Sequence, residues 1–125
     1  MRIIALTTLA FVAFVSTASA QNVEPEILTL DGNVVVVPTK AKLDSFVEKC
    51  NGVARPDDKV SCKADFGQQR RLWELFTMAT KHASLASVVN DDTEVAYGLG
   101  KARSYYAAIR SHEANLKQHW PELYR

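Results

Sequence analysis

Two long segments with helical periodicity constrain the fold of this chain more than any other feature. In residues 66–88, apolar side chains recur every three or four positions: Leu72, Leu75, Phe76, Ala79, Ala83 and Ala86. Residues 94–119 continue in the same way with Val95, Leu99, Ala102, Tyr106, Ile109 and Leu116. This spacing predicts two amphipathic helices. The polar turn between them, residues 90–93, is short, so the helices are predicted to pack as an antiparallel pair.

A shorter helix is predicted before this pair. Thr39 suits an N-cap, and the apolar residues Leu43, Phe46, Val47 and Cys50 share one helical face. The pair Asn51-Gly52 predicts where the helix stops. Residues 51–63 contain Gly52, Pro56 and two aspartates and are predicted to form a loop, after which Asp65 would cap the next helix.

A β-hairpin is predicted before the helices. Residues 27–30 and 34–37 are rich in β-formers, and either Asp31-Gly32 or Gly32-Asn33 between them suits a tight turn. The second run is four consecutive valines and is therefore apolar on both faces. We expect Val35 and Val37 to contact a partner chain or a second copy at the hairpin edge. The alternative is that the helices and the N-terminal segment cover this strand.

The first 20 residues have the pattern of a cleavable signal peptide. Arg2 is followed by an uncharged apolar run over residues 3–15 and then by small residues that end at Ala20. The run is too short for a membrane span, which needs about 20 apolar residues. Cleavage near Ala20 predicts a periplasmic or secreted protein, and the style of the signal favours a bacterial source.

Export determines how the two cysteines are interpreted. In an oxidising compartment Cys50 and Cys62 are predicted to form a disulfide. The alternative, buried or metal-bound thiols, is disfavoured because eleven intervening residues match no common zinc spacing. The predicted fold is therefore mainly α: a signal peptide (1–20), a segment with the hairpin (21–38) and a three-helix domain (39–125) with one disulfide.

The charge of the mature chain argues against a nucleic-acid partner. Loss of Arg2 reduces the 15 basic residues to 14, which equals the 14 acidic ones. Basic and aromatic residues nevertheless concentrate on the last helix, and these types are enriched in protein interfaces. We expect a partner surface formed by Tyr105, Arg103, Arg110 and Lys117. The alternative is an ordinary solvated face, with Tyr106 in the core and Tyr105 at its edge.

No pattern in the sequence indicates an enzyme. Nucleophile-elbow, zinc-protease and phosphate-loop motifs are absent, and a disulfide would leave no free thiol. His112 and His119 are two turns apart, too far to share one metal, and no haem-attachment motif occurs. We therefore expect no catalytic residue, metal or cofactor.

The expected function is binding of another envelope or secreted protein, or self-association through the hairpin edge. Such a protein could be an inhibitor, an immunity factor or an accessory component of an envelope, secretion or conjugation system. The sequence leaves two alternatives from different classes: a carrier of a small ligand or cofactor in a helical cavity, and an enzyme of unfamiliar type.

Overall fold

The computed structural model describes residues 24–125, so the predicted signal peptide and residues 21–23 lie outside the described part. The described chain is a β-hairpin followed by three helices, as the sequence predicted. The elements are β1 (Glu26–Leu30), β2 (Asn33–Val37), α1 (Lys40–Lys49), α2 (Pro56–Val88) and α3 (Asp92–His119), with 3-10 turns at Cys50–Gly52 and Pro121–Tyr124.

The hairpin is closed by Asp31-Gly32, one of the two turns that the sequence allowed. Both residues have positive φ, 54° and 81°, which is the type I′ geometry that matches the twist of two antiparallel strands. Leu28 lies opposite Val35 in the resulting register, and Leu30 lies opposite Asn33. Arg103 connects this turn to α3, because its Nε donates to Asp31 Oδ2 at 2.7 Å.

Helix α1 is capped and anchored as a separate short element. The Thr39 hydroxyl accepts from the Lys42 amide at 3.1 Å, which confirms the predicted N-cap. Asp44 receives hydrogen bonds from Lys40 Nζ and Arg70 Nη1, each at 2.8 Å, and these cations lower the pKa of its carboxyl group. The bond to Arg70 joins α1 to α2.

The predicted loop over residues 51–63 is wrong for most of its length, because α2 already begins at Pro56. Proline is favoured at the first helical position, and the acidic residues Asp57 and Asp58 complement the positive helix N-terminus. Asp65 therefore lies inside the helix and caps nothing. Its Oδ2 instead accepts from the Trp120 indole at 2.9 Å.

Small residues allow α2 and α3 to approach closely near the turn that joins them. Ala79, Ala83 and Ala86 are buried on α2, and Gly98 and Ala102 are buried on α3. Asp91 caps α3 by accepting from the Glu94 amide at 3.2 Å. No helix within residues 24–125 is long and apolar enough to cross a membrane.

Two apolar clusters lie along this helix pair. The hairpin covers the first, which contains Leu30, Val35, Val37, Phe76, Ala79, Ala102 and Ile109. Helix α1 and the C-terminal turn cover the second, which contains Cys50, Cys62, Phe66, Leu116 and Leu123. The predicted disulfide is present: Cys50 and Cys62 are bonded and fully buried, with their Cα atoms 5.7 Å apart.

Candidate functional site

The outer face of the hairpin is the first part of the candidate site. Ile27, Val34 and Val36 are 62%, 68% and 52% exposed, and Ile27 lies directly opposite Val36 across the strands. The prediction that Val35 and Val37 contact a partner is corrected by the structure. Their side chains are only 1% and 7% exposed because they point into the first cluster.

The backbone of the hairpin has two free edges, since the described sheet contains only β1 and β2. The residue pair that flanks a two-residue turn exchanges hydrogen bonds, and the next pair along does not. Leu30 and Asn33 flank the turn. The outward N–H and C=O groups on β2 are consequently those of Val34 and Val36, the residues whose side chains are also exposed.

A groove of about 500 Å³ adjoins the open end of the hairpin. Four elements and the C-terminal turn contribute to it: Pro25, Val36, Pro38, Thr39, Lys42, Leu43, Phe46, Phe66, Gln69, Trp73, Glu113, Lys117 and Tyr124. Three of its rings pack together. Phe46 stacks on Phe66 at a centroid distance of 5.4 Å, and Tyr124 lies 5.1 Å from Phe46. Val36 belongs to both the groove and the exposed hairpin face, so the two surfaces are continuous.

Gln69 is the buried polar residue of the groove, and its hydrogen bonds are made within the protein. Its Oε1 accepts from His112 Nδ1 at 2.7 Å, and its Nε2 donates to the Ile109 carbonyl at 3.5 Å. An amide oxygen can only accept, so the Nδ1 of His112 carries the proton. This arrangement links α2 to α3.

The rim of the groove is more basic than acidic. Lys42 and Lys117 line it with a single carboxylate, Glu113, which is 3.9 Å from the Lys117 ammonium group. Lys117 Nζ also lies 5.5 Å from the centre of the Tyr124 ring. Burial, with a smaller effect of Glu113, raises the pKa of Tyr124 to about 12.

The predicted surface on the last helix is divided by the structure. Arg103, Arg110 and Lys117 are spaced by seven residues and share one face of α3, whereas Tyr105 lies roughly 120–160° around the helix axis from them. Tyr105 is half-buried against the first cluster. Of the four predicted residues, only Lys117 lines the groove.

The two predicted arginines have contacts within the chain. The bond to Asp31 raises the pKa of Arg103. Arg110 Nη1 donates to the Tyr106 hydroxyl at 3.4 Å, and its guanidinium lies 5.8 Å from the centre of the same ring. Both arginines therefore bind groups of their own chain, and both side chains remain exposed at the surface.

His82 and His119 each lie within hydrogen-bond distance of one group in the described part of the chain. His82 Nε2 is 2.8 Å from Glu94 Oε1, and His119 Nδ1 is 2.9 Å from the Asn115 carbonyl. Nowhere between Glu24 and Arg125 do three or more His, Cys, Asp or Glu residues form a group that could hold a metal ion.

A comparison with known protein families, curated protein sequences and solved structures found no significant match. The groove itself was missed by the sequence interpretation. The exposed valines could have been assigned from the sequence, since the Asp31-Gly32 turn places Val35 opposite Leu28 and Val34 opposite Thr29. The leucines of β1 lie on one face of the hairpin and Thr29 lies on the other. The valines of β2 that share the face of the leucines are therefore the ones expected to face the core.

Proposed function

We propose that this protein is a non-enzymatic module that binds another protein through the outer hairpin face and the adjoining groove. The observation that carries the proposal is the continuity between Ile27, Val34 and Val36 on the hairpin and the aromatic groove beside Val36. Exposed apolar surface of this kind, with a polar rim, is typical of an interface.

The energetics support a binding role for the hairpin face. Burying a Val or Ile side chain contributes about 1.5–3 kcal/mol, and these three remain largely in water in the free chain. Backbone groups of Val34 and Val36 point outward at the same place. A partner could therefore gain both apolar burial and directional hydrogen bonds there.

The signal peptide pattern and the disulfide support a site of action outside the cytoplasm, in a periplasm or cell exterior. In that setting the module would act as an inhibitor, an immunity factor or an accessory component of an envelope or secretion system.

The test is capture of partners from an envelope extract of the source cell by the disulfide-bonded protein, compared with two variants. Val36→Lys places a charge where the hairpin meets the groove. Val88→Lys is the matched control, because Val88 is 77% exposed and lies at the opposite end of α2. We expect a specific partner to bind the wild type and the control and to be lost from Val36→Lys.

Other outcomes would reject the proposed surface. A partner that binds Val36→Lys but not Val88→Lys would place the interface at the α2–α3 turn. A partner that binds all three proteins would exclude both surfaces. If neither the wild type nor either variant captures a protein from the extract, the proposal of a binding module is contradicted.

A second candidate function, a small-ligand carrier, is favoured by the groove alone. Its volume of about 500 Å³ and its aromatic walls fall within the range of small-molecule sites. Native mass spectrometry and absorbance of protein purified from the envelope would reveal a retained ligand. A colourless protein with only the polypeptide mass would argue against this candidate.

A further inference from the structure

We propose that the partner contributes an extended acidic segment, which adds to the free edge of β2 as a third strand and places an apolar side chain in the groove. This inference rests on the proposed function and specifies the chemistry of the partner. It follows from three features of the same surface: the direction of the β2 backbone groups, the charge of the rim and the shape of the groove.

The β2 edge suits strand addition. Val34 and Val36 direct their N–H and C=O groups away from β1, and valine favours the extended conformation that a new strand must pair with. Extended segments bind exposed sheet edges in this way, with affinity from the main chain and specificity from side-chain pockets.

The groove begins where β2 ends, so one bound segment could contact both the β2 edge and the groove. Val36, Pro38 and Thr39 line the groove as the chain leaves β2. A strand paired with β2 runs parallel to its axis, at about 3.3 Å per residue. Because Val36 and the aromatic rings line the same groove, a segment that continues past Val36 towards Pro38 would enter it.

Charge distinguishes the β2 edge from the β1 edge and selects an acidic segment. β1 is preceded by Glu24 and begins with Glu26, whereas β2 leads to Lys42, beyond Lys40, which is paired with Asp44. In the described part of the chain Lys42 makes no ion pair, and Lys117 reaches Glu113 only at 3.9 Å. Carboxylates of the incoming segment would therefore meet two lysines with little competition.

The groove accepts the apolar part of the segment. Phe46, Phe66 and Tyr124 form one wall, and Trp73 is also part of the lining. An aromatic or large aliphatic side chain would be buried against these rings, as the anchor of a peptide complex is. Trp73 also provides a fluorescent reporter inside the site.

The experiment is selection of a phage-displayed library of random decapeptides on the immobilised disulfide-bonded protein, residues 21–125. We expect the enriched peptides to combine β-branched residues, at least one large apolar residue and an excess of Asp and Glu. Their affinities are then measured with synthetic peptides through Trp73 fluorescence in the Trp120→Phe variant, at low and at physiological salt.

Two pairs of variants separate the parts of the proposal. Val36→Pro removes an outward N–H without removing a bond to β1, and Val36→Thr keeps that N–H with a side chain of similar shape. Val36→Pro should bind about fivefold more weakly than Val36→Thr, as loss of one hydrogen bond predicts. Lys42→Glu with Lys117→Glu should weaken binding about tenfold at low salt. The control is Lys63→Glu with Lys81→Glu, which changes two exposed lysines of α2 that do not line the groove, and it should bind like the wild type.

Each alternative outcome overturns a stated part. Equal binding by Val36→Pro and Val36→Thr would exclude strand addition, and enrichment of neutral or basic peptides would exclude the acidic segment. Absence of enriched peptides, together with a Val36-dependent whole-protein partner in the capture experiment, would reject this inference and leave the proposed function standing. Enriched peptides without such a partner would reject the proposed function instead.

Discussion

At the scale of single residues, Tyr124 connects the C-terminal turn to the groove and titrates abnormally. Its ring packs against Phe46 and Phe66, and its hydroxyl lies where burial disfavours the phenolate. The pKa of Tyr124 rises to about 12 in the folded protein, against about 10 for an unperturbed tyrosine. The folded protein therefore favours the protonated, neutral form of the Tyr124 side chain.

This shift predicts a loss of stability at alkaline pH. Between about pH 10 and pH 12 the unfolded chain releases the Tyr124 proton and the folded chain retains it, so the free energy of unfolding falls as pH rises. Because solvent reaches part of the ring, we expect a loss of no more than about 1–2 kcal/mol. Urea unfolding of wild type and Tyr124→Phe across this range measures it, and the variant should show the shallower decline. Parallel declines would contradict the assignment.

At the scale of elements, α2 and α3 lie close together at Gly98. A Cβ atom at this position would lie 2.9 Å from the Ala83 nitrogen and 3.0 Å from the Ala79 oxygen. Both are backbone atoms, which cannot move aside without separating the helices. The glycine is therefore required for packing, although glycine weakens a helix interior by about 1 kcal/mol relative to alanine.

Substitution of two glycines in α3 tests this contact. Gly98→Ala should lower the free energy of unfolding by about 1–2 kcal/mol, since the overpacking cost exceeds the gain in helix propensity. Gly100→Ala is the matched control. A Cβ there meets no atom within 4 Å, so this variant should be stabilised by about 0.5–1 kcal/mol. Urea denaturation gives both values, and stabilisation of Gly98→Ala would show that the helices are farther apart.

The disulfide attaches the end of α1 to the first turns of α2. Cys50 and Cys62 are separated by 12 positions, and a crosslink over a loop of this length contributes about 3 kcal/mol in the chain-entropy model. We expect the Cys50→Ala/Cys62→Ala protein to lose about 2–4 kcal/mol of unfolding free energy. Reduced wild-type protein is the control that retains both sulfur atoms. If reduction leaves stability unchanged, the crosslink contributes nothing to the fold.

Local pattern was sufficient to predict most elements. The Asp31-Gly32 turn, the Thr39 cap and the apolar faces of α2 and α3 are each specified by residues within a few positions of one another. The start of α2 was mispredicted because Pro56 and the aspartates after it occur both in loops and in the first turn of a helix. In the folded chain, Cys62 and Phe66 on this helix pack in one cluster with Phe46 and Val47 of α1, which are distant in sequence.

The candidate site was less predictable, since it depends on contacts between distant residues. The groove brings Phe46 of α1 and Phe66 of α2 against Tyr124, which lies beyond α3. No periodicity within one element encodes these distances. The basic residues of α3 could be placed on one face from their spacing, but the bond between Arg103 and Asp31 required the position of the hairpin.

At the scale of the whole molecule, one helix pair supports both apolar clusters. Phe66 and Phe76 both lie on α2 but belong to different clusters. Leu116 and Ile109 both lie on α3 and are divided between the two clusters in the same way. The hairpin stabilises one end of this arrangement and α1 the other. Because α2 and α3 run through both, loss of either cluster exposes apolar surface of the shared helices.

This sharing predicts that the described chain unfolds in a single transition. Trp73 packs against the first cluster and Trp120 against the second, so the variants Trp73→Phe and Trp120→Phe each leave one local reporter. In each variant, the urea midpoint from the remaining tryptophan should coincide with the midpoint from helical ellipticity at 222 nm. The comparison within one protein removes any difference in stability between variants, including loss of the bond from Trp120 to Asp65.

An earlier Trp120 midpoint would show that the disulfide end opens independently of the hairpin-covered cluster. In that case the groove, which draws residues from both ends, would lose part of its lining before the molecule unfolds.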